Sequence, residues 1–192
     1  MLRLKGTRLA PYMQLATALI GKTREGGGNM FRLQLDSMAI LIDYGYIDSV
    51  LLKAAIIHDI LEDIPDYNRN LILSVDYESH VVYELVQEVT RLPEESKPEF
   101  LKRIHREGSL NAKILKIADR ISNMISLGFV NNPEFVGRYT DETELYLLPI
   151  AKEVNEFMHK ELESLVNSRR QNLTHLFQFK TDEKTVDSTD FI

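Results

Sequence analysis

The sequence predicts an all-α protein, a helical bundle that forms a single domain. Apolar residues recur at steps of three or four along most of the chain, which is the period of an amphipathic helix. No stretch shows the alternation of apolar and polar residues that indicates a half-buried β-strand. With 192 residues, 44% of them hydrophobic and 27% charged, the chain is long enough for one full hydrophobic core.

The composition also limits the compartment and the ligands. No apolar run approaches the ~18 residues of a membrane span, and no signal-peptide pattern is present, so we expect a soluble, cytoplasmic protein with no membrane partner. A formal net charge of −6 argues against long nucleic acid as a partner. The chain has no cysteine, so any metal must be bound by imidazole, carboxylate and water. These ligands favour manganese, iron or magnesium over structural zinc.

The first three helices are marked by their period and by residues that start or stop a helix. Leu2 to Gly21 repeats apolar residues at helical spacing and leads into a glycine-rich loop. Phe31 to Tyr44 resumes the period, and Gly45 is typical of a C-terminal glycine cap. Asp48 can cap a third helix, which is predicted to continue through Ile64.

Four further helices are predicted after Ile64. They are Val75–Leu92, Phe100–Ile104, Asn111–Leu127 and Thr140–Leu165. Pro149 predicts a kink in the last of them. The residues that follow are polar and of mixed charge, so we assign residues 1–167 to the helical domain and residues 168–192 to a polar C-terminal tail.

The third helix contains an unusual cluster of polar residues in an apolar run, KAAIIHDILEDI. On a helix they lie on the arc opposite the apolar residues: His58, Asp59, Glu62 and Asp63. Burying several carboxylates side by side is costly unless a divalent cation offsets their charge. His58 and Asp59 could reach one ion, and Glu62 and Asp63 could hold or deprotonate a water. The same pattern also fits a helix end with His58 in the core and the acids in solvent.

A second polar stripe lies on the helix predicted at Asn111–Leu127. Its members follow one another at steps of three or four: Lys116, Asp119, Asn123 and Ser126. Such a stripe is either a ligand-facing surface or a solvated helix face. The spacing does not decide between them.

Both segments resemble the HD superfamily of metal-dependent phosphohydrolases. AAIIHDILED is similar to the HDxxED segment of the (p)ppGpp hydrolase domain of RelA/SpoT proteins and their small stand-alone relatives. ILKIADRISNM resembles that family's KLADRxxNM segment, and Asp119 lies about 60 residues after Asp59. Weaker similarities in KTREGGGN, EVTRL and ETELYLLPIA extend the resemblance over roughly residues 20–155. It implies an HD-domain helical bundle.

The resemblance implies a metal centre and a hydrolytic role. His58, Asp59 and Asp119 would bind Mn²⁺ or another divalent metal ion. Glu62 and Asp63 would position or activate the attacking water. The implied reaction is the release of pyrophosphate from the 3′ position of (p)ppGpp or a related nucleotide.

The resemblance also implies how a small phosphorylated guanine nucleotide would bind. Arg24 would lie against the guanine base. Lys116 and Asn123 would lie near the nucleotide, and Tyr146 near its ribose or phosphate. The sequence leaves open whether the chain forms a homo-oligomer.

One position departs from the family pattern. The family has a metal-binding histidine on the helix after the basic loop, where residues 31–35 read FRLQL. Gln34 could supply an amide oxygen there, whereas Leu33 could supply no ligand. A lost ligand predicts weaker metal binding. A nucleotide-binding module with little turnover and an HD phosphatase for another nucleotide are therefore the alternatives to a pyrophosphohydrolase.

Overall fold

The computed structural model describes residues 6–23 and 28–186, with side chains as far as Thr174. Over these residues the chain forms α-helices and no β-strand, which confirms the predicted all-α bundle. The helices are α1 Ala10–Ala16, α2 Met30–Asp43, α3 Ser49–Ile57, α4 Ile60–Asp63, α5 Asn70–Leu73, α6 Ser79–Val89, α7 Lys97–Glu107, α8 Leu110–Ser126, α9 Pro133–Glu142, α10 Leu148–Val154 and α11 Glu156–Val186. Within the described part of the chain, no helix combines the length and the apolar character needed to cross a membrane.

Two helices form the centre of the bundle. Every residue of α3 from Leu51 to Ile57 is buried, as expected for a helix that is apolar on all sides. Helix α8 packs against α2, α10 and α11, and it buries an apolar stripe that includes Ile117 and Ile121. Helix α2 packs against both α3 and α8. These three helices position the cluster of His58, Asp59 and Asp119 described below.

Side-chain caps fix where α2, α3 and α8 begin. The Asn29 side chain accepts from the backbone N–H of Phe31 at the start of α2. Asp48 accepts from the N–H of Leu51, as predicted, and Ser109 caps α8 in the same way. Each cap supplies an acceptor to an N–H that has no partner within its helix.

The structure corrects the prediction of one continuous helix through Ile64. Helix α3 ends at Ile57 and α4 begins at Ile60, so His58 and Asp59 lie at a break. The backbone N–H of Asp59 donates to the side-chain oxygen of Gln34, 3.3 Å away. The Asp59 carbonyl accepts from the backbone N–H groups of Glu62 and Asp63, which starts the new helical turn of α4.

Other helix bounds also differ from the prediction. Pro11 and Pro149 each lie in the first turn of a helix, where a missing N–H costs nothing, so they mark the starts of α1 and α10. The predicted helix 140–165 is divided by a π-turn at Thr143–Leu147 and by an extended residue, Asn155. Helix α6 is shorter than predicted and α7 is longer.

The last helix continues beyond its predicted end at Leu165. Helix α11 runs to Val186. Arg169 donates from its guanidinium to the carbonyl of Met124 at the end of α8, and Leu173 is buried in the core. The division into a domain and a tail at residue 167 stays a prediction.

Candidate metal centre and its cavity

Three predicted metal ligands meet where the break after α3 faces the middle of α8. His58 Nε2 lies 3.3 Å from Asp59 Oδ2 and 3.5 Å from Asp119 Oδ1. One ligand atom from each residue lies within 4.8 Å of the other two, so the three could hold one metal ion. Two aspartates and an imidazole form a ligand set that suits a divalent transition metal.

The hydrogen bonding of His58 favours a cation at this point. Its Nδ1 lies 2.8 Å from the carbonyl oxygen of Ala55, which makes Nδ1 the donor. Nε2 is buried and makes no hydrogen bond, although it faces two carboxylates. Burial alone would lower the His58 pKa, but the charges of Asp59 and Asp119 outweigh it and raise the pKa to about 9. Nε2 therefore faces an environment that favours either a proton or a metal ion.

Neighbours on α8 hold Asp119 in place. Lys116 Nζ donates to Asp119 Oδ2 at 2.8 Å, and Asn123 Nδ2 donates to Oδ1 at 2.6 Å. Burial would raise the pKa of Asp119, but the Lys116 charge and His58 hold it well below its usual range. Asp119 is thus an ionised carboxylate with a fixed orientation.

A partly enclosed cavity of about 300 Å³ opens beside this cluster. Six residues predicted for the site line it: Asp59, Glu62, Asp63, Lys116, Asp119 and Asn123. Burial and the charges of Asp59 and Glu62 raise the Asp63 pKa to about 6. Glu62 Oε1 lies 3.6 Å from Nε of Arg91, which also lines the cavity. The structure therefore brings these residues to one cavity, while their roles stay predictions.

The cavity has cationic and aromatic residues that the sequence analysis did not identify. The Arg120 guanidinium lies 4.1 Å from the ring centre of Tyr139, and Lys97 Nζ lies 5.1 Å from it. Both cations also contact the carboxylate of Glu142. Arg120 could have been suspected because it directly follows Asp119. Lys97 and Tyr139 lie on α7 and α9, in segments with no motif.

Two predicted nucleotide-binding residues have a different standing: one lies outside the described residues and the other does not line the cavity. Arg24 lies outside the described residues. Tyr146 is not in the cavity lining, and its ring lies 5.9 Å from Lys102 Nζ. The structure therefore gives no support to a contact between Tyr146 and a ligand in this cavity.

The comparisons with known proteins show a likeness in structure. No protein-family model and no curated protein matches the chain. The structure matches that of a metazoan ortholog of SpoT that hydrolyzes ppGpp and plays a role in starvation responses. The TM-score is 0.72 at 20% sequence identity, over 84% of this chain and 94% of that chain. The chain has the fold of a ppGpp hydrolase. At this identity the likeness shows the fold alone, and activity must be argued from the site.

Proposed function

We propose that this protein is a metal-dependent phosphohydrolase that releases pyrophosphate from (p)ppGpp or a related guanine nucleotide. The observation that carries the proposal is the cluster of His58, Asp59 and Asp119 beside a cavity with cationic walls. The similar fold of a protein that hydrolyzes ppGpp supports this choice of substrate. In the proposed reaction, the water oxygen forms a bond to the phosphorus next to the ribose, the ester bond from that phosphorus to the ribose 3′ oxygen breaks, and the 3′ oxygen takes a proton and leaves as a hydroxyl group.

The residues of the chain would divide the chemical work between them. A divalent ion held by His58, Asp59 and Asp119 would supply Lewis acidity to a phosphoryl oxygen and lower the pKa of water. Glu62 and Asp63 line the same cavity as Asp59 and Asp119 and would accept the proton of that water. Without the charge of an ion, burial and the charges of Asp59 and Glu62 raise the pKa of Asp63 to about 6, and a carboxylate with a raised pKa is a stronger base than an ordinary aspartate.

Other residues that line the cavity would hold the substrate. Arg91 and Lys97 are positively charged groups that can pair with phosphate oxygens. Phe135 and Tyr139 present aromatic rings 5.7 Å apart, and a base or ribose can pack against them. We retain Arg24 as the proposed contact to guanine.

The test is pyrophosphate release from ppGpp with and without added Mn²⁺. We expect wild-type protein to release pyrophosphate only with the ion, and Asp119→Ala to lose this activity because the ion loses a charged ligand. The matched control is Asp141→Ala, since Asp141 is an exposed aspartate paired with Arg170 away from the cavity. Pyrophosphate release by Asp119→Ala at the wild-type rate would contradict the proposed metal centre. A panel of other phosphorylated nucleotides in the same assay distinguishes a phosphatase of different specificity.

A nucleotide-binding module with little turnover is the second candidate. It is favoured by the absence of a histidine from residues 31–35, where the family pattern has one, because neither Leu33 nor Gln34 can bring an imidazole to the cluster. Calorimetry with ppGpp separates the two functions. Tight binding without turnover would identify the module, and a gain of turnover in Gln34→His or in Leu33→His would show which residue has replaced the ligand.

A further inference from the structure

We propose that Gln34 is a positioning residue that holds Asp59 in its metal-binding orientation and does not itself bind the ion. The inference rests on the proposed metal centre. It assigns Gln34 an indirect role in that centre, because Gln34 would affect the ion only by orienting Asp59.

Both polar atoms of the Gln34 amide are engaged with the same residue. Nε2 donates to Asp59 Oδ2 at 2.9 Å, and Oε1 accepts from the Asp59 backbone N–H at 3.3 Å. The two bonds fix the Asp59 carboxylate relative to its own backbone. One side chain therefore sets the rotamer of the aspartate.

Burial makes this pair of bonds costly to break. Gln34 is fully buried in α2, and a buried amide that loses its partners loses the energy of both hydrogen bonds without compensation from water. Turning Oε1 towards an ion would remove the acceptor of the Asp59 N–H at the break between α3 and α4. A metal ion attracts a neutral amide oxygen less strongly than a carboxylate oxygen. The arrangement with both Gln34 hydrogen bonds to Asp59 is therefore more stable than one with Oε1 turned towards the ion.

The bond to Gln34 is compatible with a metal ion on the same carboxylate. Each carboxylate oxygen has two lone pairs, so Asp59 Oδ2 can accept from Gln34 and still bind a cation on the side of His58. Leu33, the neighbouring candidate for the missing ligand position, is apolar and only lines the cavity. The centre then has three protein ligands and a buried amide that orients one of them.

Manganese affinity in a double-mutant cycle tests this assignment. Gln34→Met keeps the length of the side chain and removes both hydrogen bonds. Residues that orient metal ligands typically contribute ~10-fold to 100-fold in affinity, and we expect Gln34→Met to weaken Mn²⁺ binding by such a factor. Combined with Asp59→Ala, the same change should alter affinity by less than about 2-fold, because a residue that acts only through Asp59 has nothing left to orient. Titration of free Mn²⁺ by electron paramagnetic resonance gives the four affinities, and the exposed Gln87→Met is the control.

Each result decides a different point. An equal loss of affinity in both backgrounds would identify Gln34 as a ligand and overturn the inference. Unchanged affinity in Gln34→Met would also overturn it and leave the proposed function intact. Absence of Mn²⁺ binding by wild-type protein would overturn both.

A second variant covers the cases in which the cycle cannot be completed. Gln34→Glu keeps the shape of the side chain but places an oxygen where Nε2 donates to Asp59. We expect it to bind Mn²⁺ more weakly than wild type, since it no longer supports Asp59. An anionic residue that bound the ion directly would bind it more tightly, and tighter binding would contradict the positioning role. This comparison replaces the cycle if Gln34→Met does not fold or Asp59→Ala binds too weakly to titrate.

Discussion

Lys53 shows at the scale of one residue how this fold accommodates a buried charge. The lysine lies on the central helix α3 and is 2% exposed. Its Nζ contacts Asp76 Oδ2 at 2.7 Å and Glu78 Oε2 at 2.5 Å, and the Tyr12 hydroxyl donates to the other oxygen of Asp76. Burial alone would lower the Lys53 pKa, but the two carboxylates raise it. The ion pairs therefore tie the segment before α6 to the core, and the Tyr12 hydroxyl ties α1 to the same cluster.

We expect Lys53→Met to lower the free energy of unfolding by about 3 kcal/mol at pH 7, because it leaves Asp76 and Glu78 without a cation. Urea denaturation followed by circular dichroism measures the change. The control is Lys160→Met, which removes an exposed lysine from its pair with Glu156 and should change stability by less than ~0.5 kcal/mol. Equal effects of the two substitutions on the free energy of unfolding would show that the buried ion pairs of Lys53 stabilise the fold no more than an exposed pair does.

The same variant should respond differently to acid. The Lys53 hydrogen bonds lower the pKa of Glu78 from 4.5, and they lower that of Asp76 from 3.8 against the effect of burial. A carboxyl with a lowered pKa in the folded state stabilises it at higher pH, and this contribution is lost as the pH falls below those ordinary values. The difference in the free energy of unfolding between wild type and Lys53→Met should therefore shrink below about pH 4, because protonated carboxyl groups carry no charge that a cation must offset. A difference that stays constant down to pH 3 would contradict this origin.

At the scale of an element, the end of α2 is set by Gly45. The N–H of Tyr46 donates to the carbonyl of Leu41 and the N–H of Gly45 to that of Ile42, which is the bonding of a Schellman motif. Gly45 has φ +78°, in the left-handed region that residues with a Cβ rarely adopt.

We expect Gly45→Ala to lower the free energy of unfolding by about 1 kcal/mol. The matched control is Gly21→Ala, because a Cβ at either glycine has open space but only Gly45 has positive φ. A loss of the same size in both variants, measured by urea denaturation, would rule out the backbone conformation as the cause.

Local signals explain which elements the sequence predicts correctly. Gly45 and Asp48 act on the residues beside them, so the end of α2 and the cap of α3 are visible in the sequence. The break at His58 depends on Gln34, which lies 25 residues from Asp59 in the chain and is not detectable from local periodicity. Pro149 is ambiguous in a sequence, since a proline fits the first turn of a new helix as well as a kink in an old one.

The residues of the site also divide into those that a motif in the sequence identifies and those that only the packing of distant helices brings together. His58, Asp59 and Asp119 are predictable because their residue types and order match a known pattern, and the structure brings them together. Lys97 and Tyr139 reach the cavity only through the packing of α7 against α8 and of α9 against the π-turn and α11. The sequence could suggest the chemistry of the ion but not the walls that would hold its substrate.

For the whole molecule, the candidate metal centre is a product of folding. Its ligands lie on α8 and on the break between α3 and α4, and the cavity beside it is completed by α2, α7 and α9. An unfolded chain separates His58 from Asp119 and cannot bring them to one ion. Binding of the ion must therefore stabilise the folded state by mass action.

We expect Mn²⁺ to raise the melting temperature of the wild-type protein by about 5 to 10 °C when its free concentration is 100 times the dissociation constant. Such a ligand excess contributes about 2.7 kcal/mol, and each kcal/mol shifts the melting temperature of a domain of this size by about 2–4 °C. Thermal unfolding with and without Mn²⁺ measures the shift, and a chelator should reverse it. Asp119→Ala should show no shift, whereas Asp141→Ala should match wild type because Asp141 pairs with Arg170 at the surface. Since the chain carries a formal net charge of −6, non-specific binding of cations would raise the melting temperature of all three proteins equally, and that outcome would contradict a specific centre.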